Sequence, residues 1–174
     1  MSIPPEEFDR LFRTFEREAF RLETLDDYSQ SGGVEAYRAF LAGEAQPESY
    51  KSAAWVTTVR NATGAGKRMY RVHVVQRPLT DYLRFELGWG YVRNQEAGEE
   101  FYILDTTDQP NLLADVPDFW MFDESSVISM EYDSGGKFIG ADVEPDAAAW
   151  IERRDKALAS AVPFPEWWEQ HRSE

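Results

Sequence analysis

The chain contains no cysteine. That excludes disulfide frameworks, thiolate metal sites and cysteine nucleophiles at once. Histidine is almost as scarce, with only His73 and His171. No apolar run approaches the roughly 18 residues that a membrane-spanning helix needs, so no membrane association is expected. The opening "MSIPPEEFDRLF" has acids and prolines where a secretory signal carries positive charge and an apolar run, which places the expected location in the cytoplasm. Positive charge is also in short supply. Eighteen Lys and Arg face 32 Asp and Glu, for a formal net charge of −14. So acidic a chain is not drawn as a whole to phosphate or anionic lipid, and no direct nucleic-acid partner is expected. G-x-S-x-G, H-E-x-x-H and G-x-G-x-x-G are all missing. "GAGKR" (Gly64–Arg68) lacks the spacing of a phosphate-binding loop and precedes a strand instead of following one. No recognisable catalytic motif remains, no catalytic residue can be named, and neither a cofactor nor a metal is expected.

What is present is ample material for a core. The 174 residues are 43% hydrophobic and 14% aromatic, enough for one domain spanning 1–174. Its core is expected over about 8–165, with a short aromatic tail at 166–174. Phe8, Leu11, Phe12 and Phe15 recur at helical spacing behind Pro4 and Pro5. Phe20 and Leu22 alternate with Arg21 and Glu23, as in a short strand. "VEAYRAFLAGE" and Ala53–Ala62 read as helices, and "EEFYILD" reads as a strand. "DFWMFD", "VISMEYD" and "KFIGADVE" follow at short spacing as an antiparallel meander, with Asp133-Ser134-Gly135-Gly136 as a hairpin turn. Ala147–Ala161 reads as a last long helix. The predicted class is α+β (mixed α/β): a mixed sheet of about five to six strands, ending in the meander and flanked by helices.

The stretch "RMYRVHVVQRPLTDYLRFE" (Arg68–Glu86) holds most of the candidate site. In a strand, Tyr70, Val72 and Val74 face one way, while Arg71, His73 and Arg77 face the other. Pro78 ends the strand, and Tyr82, Leu83 and Leu87 then take up helical spacing. Arginine binds anions through a planar fork, and histidine titrates near neutrality. Arg71, His73, Arg77, Asp81, Arg84 and Glu86 are therefore the candidate binding residues. Charge is also uneven along the chain. Residues 51–80 contain no acid, whereas residues 101–150 contain eleven acids and only Lys137. Asp115 and Asp118 in that acidic zone complete the candidates, as a surface for a basic partner.

Four segments carry a resemblance: "FDRLFRTFEREAFRLET", "GKRMYRVHVVQRPLTDYLRFEL", "DFWMFD" and "MEYDSGGKFIGADV". They resemble an uncharacterised family of actinobacterial proteins often encoded beside helix-turn-helix regulators of the Xre type. The resemblance covers roughly Phe8 to Pro165, while "GWGYVRNQEAG" after Leu87 departs from it. It implies a place in a small regulatory module and no particular chemistry. The first expectation is thus a non-enzymatic acidic accessory protein that binds a basic helix-turn-helix regulator, with DNA mimicry as a variant. The alternative is a small-ligand sensor or enzyme whose polar pocket is built around Arg71, His73, Arg84 and Glu86.

Overall fold

A computed structural model describes residues 1–174. Seven strands form one mixed sheet: β1 (Glu18–Glu23), β2 (Arg68–Val75), β3 (Glu100–Asp105), β4 (Phe119–Phe122), β5 (Ser126–Tyr132), β6 (Phe138–Glu144) and β7 (Val162–Pro163). Their order across the sheet is β6-β5-β4-β1-β2-β3-β7. β1, β2 and β3 run parallel. β4, β5 and β6 add as the predicted antiparallel meander. The seventh strand goes beyond the expected five or six. It is a two-residue piece pairing Tyr102 with Pro163 and Ile103 with Val162, too short to leave an alternating pattern in the sequence.

Helices cover both faces. They are α1 (Pro5–Thr14), α2 (Val34–Leu41), α3 (Glu48–Lys51), α4 (Ala54–Gly64), α5 (Asp81–Phe85), α6 (Val92–Glu96), α7 (Ala148–Ser160) and α8 (Phe164–His171). A π-helical segment, Glu86–Tyr91, joins α5 to α6 without a break. The first sheet face is apolar: Phe20, Leu22, Tyr70, Val72, Val74, Phe119 and Met121 pack against α7. Trp150 and Ala157 lie seven residues, about two helical turns, apart, so α7 aims both at the sheet. The Trp150 ring meets Phe119 edge-on with centroids 4.8 Å apart. All four residues of β4 are buried, as a strand apolar on both sides requires.

The second face is covered as well, which decides the character of the site. Along β1 and β2 it begins apolar at Ala19 and Met69, beneath α1 and α4. It ends apolar at Val75, beneath α2, the Asp81–Glu96 helix and α8. Between these two clusters stand Arg21, Glu23, Arg71 and His73. The arginine-bearing side of the pleat is therefore a buried polar band and not a solvated surface. The tail is likewise part of the core: α8 buries Phe164 and Trp167, and the Trp167 indole N–H donates to Asp105 at 3.1 Å.

Turns place the meander. The β4–β5 hairpin turns through Asp123–Ser125, with Asp123 and Glu124 both at positive φ, near +53° and +54°, and the Ser125 amide donating to the Phe122 carbonyl at 3.0 Å. Asp123 accepts backbone hydrogen bonds from Glu16, Arg17 and Glu18 at 2.7–3.0 Å, tying this turn to the entrance of β1. Gly136, at φ +80°, closes the β5–β6 turn with its Cα against the Asp27 carbonyl, where a Cβ would have no room.

Candidate functional site

Parallel pairing of β1 and β2 sets Arg21 beside Arg71 and Glu23 beside His73. The Asp81–Glu96 helix supplies the roof. Thr80 caps it, its hydroxyl accepting from the Leu83 amide at 3.1 Å and donating to the Asp26 carbonyl at 2.7 Å. In a regular α-helix, Glu86 and Tyr91 would point roughly 140° apart. The widened π turn brings residues five apart onto one side, so both reach the polar band.

Two guanidinium groups are paired with carboxylates there. Arg71 donates to both oxygens of Glu99 and, at 3.1 Å, to Glu23. Glu99 also accepts from the Trp55 indole at 3.0 Å. Arg21 donates to Asp118 at 2.9 Å, the Tyr132 hydroxyl at 3.0 Å, the Leu22 carbonyl at 3.1 Å and the Met130 sulfur at 2.9 Å. Asp118 further accepts from Tyr28 and from the amide and hydroxyl of Thr24. Buried charges tolerate their desolvation only with such partners.

His73 is wholly buried. Its Nε2 faces the Leu25 carbonyl at 2.8 Å and so must donate, and its Nδ1 meets the Tyr91 hydroxyl at 2.7 Å. That hydroxyl is also 2.7 Å from Glu23, and it owns a single proton. Two cations, Arg21 and Arg71, thus form three ion pairs with three acids: Asp118, Glu99 and Glu23.

Glu86 is the fourth acid and has no match. Its Oε2 is the one buried side-chain polar atom without a hydrogen-bond partner, and it stands 3.8 Å from His73 Nδ1. Burial, reinforced by the neighbouring Glu23 carboxylate, pushes the Glu86 carboxyl well above its ordinary range. Burial also works against the charge on Glu23. Arg71, then His73 and Arg21, together with the Tyr91 hydroxyl, outweigh it and hold that carboxyl at about 2. Of two adjacent acids, the one with donors keeps its charge and the one without takes a proton. Glu23, His73 and Glu86 each bring a possible ligand atom within 4.8 Å of the others. A metal ion among them would have to displace the Tyr91 hydroxyl that already joins His73 to Glu23.

Glu86 opens into a cavity of about 290 Å³. The cavity lies between the polar band and the Asp81–Glu96 helix, with the Ser31–Gly33 turn and Tyr50 at its margin. Seven of its 17 lining residues are hydrophobic, and each of the seven is aromatic. Arg93 lines the same cavity. It bonds only neutral groups, the Asn94 side-chain oxygen and the Tyr50 carbonyl, both at 2.8 Å.

The model of a domain of unknown function, DUF6879, matches residues 6–169. The chain belongs to the DUF6879 family. No curated protein matches it. In this DUF6879 chain the structure gathers Arg71, His73 and Glu86 at one site, with Asp118 joined to them through Arg21. It disperses the other candidates. Arg77, past the end of β2, pairs with Asp105, Asp108 and Glu174. Arg84 turns outward and donates to the C-terminal Glu174 carbonyl, so it does not belong to the pocket in which it was expected. Asp81 is exposed in the first turn of α5, and Asp115 is exposed in the β3–β4 connection. Arg21, Glu23, Tyr28, Tyr91, Arg93, Glu99 and Tyr132 of the site were not among the sequence candidates. Arg21 and Glu23 did leave a signal, alternating with Phe20 and Leu22 as Arg71 and His73 alternate with valines. Tyr91 and Arg93 left none, because the π segment breaks the 3.6-residue period.

Proposed function

We propose that this chain is a small-molecule-binding domain that acts as a sensor. One observation carries the reading. The sole buried polar side-chain atom without a partner, Glu86 Oε2, belongs to a residue that lines an aromatic-lined cavity of about 290 Å³. Native proteins rarely leave a buried carboxylate oxygen unbonded, and a ligand is one way to satisfy it. The cavity's size is near the lower end for small-molecule sites, roughly 300–1,000 Å³. Thermal-shift screening of the purified protein with a library of small polar metabolites tests the proposal. A saturable rise in melting temperature, abolished by Gly90→Val, supports it. Gly90 faces this cavity, and a Cβ there would stand 3.0 Å from the Tyr50 hydroxyl. Melting unaffected by every compound would refute the reading.

We also propose that the sensor works as the cytoplasmic, acidic companion of a basic helix-turn-helix regulator in an actinobacterial host. What supports this is the net charge of −14, with the acids concentrated in residues 101–150. β6 also leaves Phe138, Ile139 and Val143 exposed beside the meander's carboxylates. The Arg71 and His73 face, being buried, takes no part in that contact. Complementary charge would speed encounter and make it salt-sensitive. Affinity capture with the tagged chain at low and moderate salt should enrich one basic DNA-binding protein, and more of it at low salt. Capture of none would remove the companion role.

A further inference from the structure

Two ionisable side chains line the cavity without a hydrogen-bonded partner of opposite charge: Glu86, whose Oε2 stands 3.8 Å from His73 Nδ1, and Arg93. One is an acid and the other a cation, and the remaining charged groups of the cavity are already paired with one another. Arg21 and Arg71 are already paired with Asp118, Glu99 and Glu23, and Arg21 also bonds Tyr132. A simple anion entering here would engage Arg93 alone and leave the Glu86 carboxyl without a partner. A neutral ligand would leave the Arg93 charge unmatched.

Resting on the sensor reading above, we propose that the cavity takes a compact zwitterion of the free amino-acid type, its ammonium on Glu86 and its carboxylate on Arg93. The surroundings suit each end. The walls present the rings of Tyr50, Tyr82, Phe85 and Tyr132. Aromatic faces attract an organic ammonium, and more strongly where water is excluded. Gly90 keeps the space between Glu86 and Tyr50 open, since a Cβ there would stand 3.9 Å from Glu86 Cγ and 3.0 Å from the Tyr50 hydroxyl. Arg93 lies over the Tyr50 ring at 4.0 Å, which fixes the plane of its guanidinium for a carboxylate. In the empty cavity Glu86 holds a proton, and the ammonium takes over its role as counter-charge. The network behind it does not need to rearrange, because its three ion pairs are complete without Glu86.

The test is titration calorimetry on the full chain with the free amino acids and two blocked series. N-acetyl amino acids lack the ammonium, and the decarboxylated amines lack the carboxylate. One or more free amino acids should bind, and each blocked form should bind at least about ten-fold more weakly, the worth of one hydrogen bond to a charged group. In Glu86→Gln the free and N-acetyl forms should converge. In Arg93→Gln the free amino acid and its amine should converge. Melting curves check that both variants are folded. Binding confined to anions or uncharged molecules, or a preference that survives both substitutions, would overturn the zwitterion while leaving the sensor reading intact. No binding by any class, in this panel or in the metabolite screen, would overturn both.

Discussion

Replacing Arg71 by methionine is the sharpest probe of the polar band. The side-chain stem is roughly kept and the charge is removed. Arg71 makes three hydrogen bonds to two carboxylates, and their side chains are 0% (Glu99) and 3% (Glu23) exposed. Neither acid can turn to water. Breaking a buried pair from one side costs about 3–5 kcal/mol, because the remaining charge is stranded. For a chain of this length, roughly 2–4 °C of melting temperature follows each kcal/mol, so a drop of about 6–20 °C is expected. A second substitution separates lost charge from lost packing. Glu99→Gln in the Arg71→Met background removes one stranded charge while leaving an oxygen for the Trp55 indole, and should recover part of the loss. The dependence on pH has a definite sign. Glu23 is held at about 2 against an ordinary value near 4.5, so the stability from its charge is full above 4.5 and is lost as pH falls toward 2. The gap between wild type and Arg71→Met should therefore narrow across that window. Urea unfolding followed by tryptophan fluorescence at several pH values measures all three quantities. A cost under about 1 kcal/mol, or no recovery in the double variant, would refute the claim that Arg71 neutralises two buried acids.

Three further substitutions test the rest of the network. Glu86 is faced by Glu23 from β1, Arg71 and His73 from β2, Tyr82 from α5, Tyr91 from its own segment and Tyr50 from α3. Its carboxyl is raised, so the ligand-free protein loses stability as pH climbs from about 4.5 through that raised value. Glu86→Gln should thus be at least as stable as wild type at pH 7 and flatter in stability between about pH 5 and 8, and a lower urea midpoint at pH 7 would contradict this. Tyr91→Phe removes the hydroxyl shared by His73 and Glu23 and should cost about 1–3 kcal/mol. Urea unfolding measures that cost, and a loss under about 0.5 kcal/mol would show that the shared hydroxyl contributes little. Asp118→Asn replaces an acceptor-only group that meets Arg21, Tyr28 and two donors of Thr24. It strands the Arg21 charge and should cost about 3–5 kcal/mol by calorimetry, while a change below about 1 kcal/mol would show that Arg21 is held by its other partners.

The amino-acid sequence by itself determined most of the layer plan. Period-2 alternation marks β1, β2 and the meander, and the hydrophobic spacing of α1, α4 and α7 marks the helices, because local burial on one side leaves a regular imprint. It also determined that Arg71 and His73 share a strand face, and that Glu86 lies on a helix reached through Pro78. Only the tertiary structure decided what that face meets. A pleat with arginines on one side reads the same whether water or a second helical layer covers it. Here α4 and the Asp81–Glu96 helix cover it. Which acids neutralise the arginines was equally hidden. Arg71 finds Glu99 across 28 residues, and Arg21 finds Asp118 across 97. Such pairings come from parallel register and sheet order, which sequence spacing does not encode. The π turn that brings Tyr91 beside Glu86 is chosen by packing over the sheet, against the preference of an isolated helix. The sequence thus supplied the charges, and the fold decided that all but Glu86 and Arg93 in the cavity would be paired.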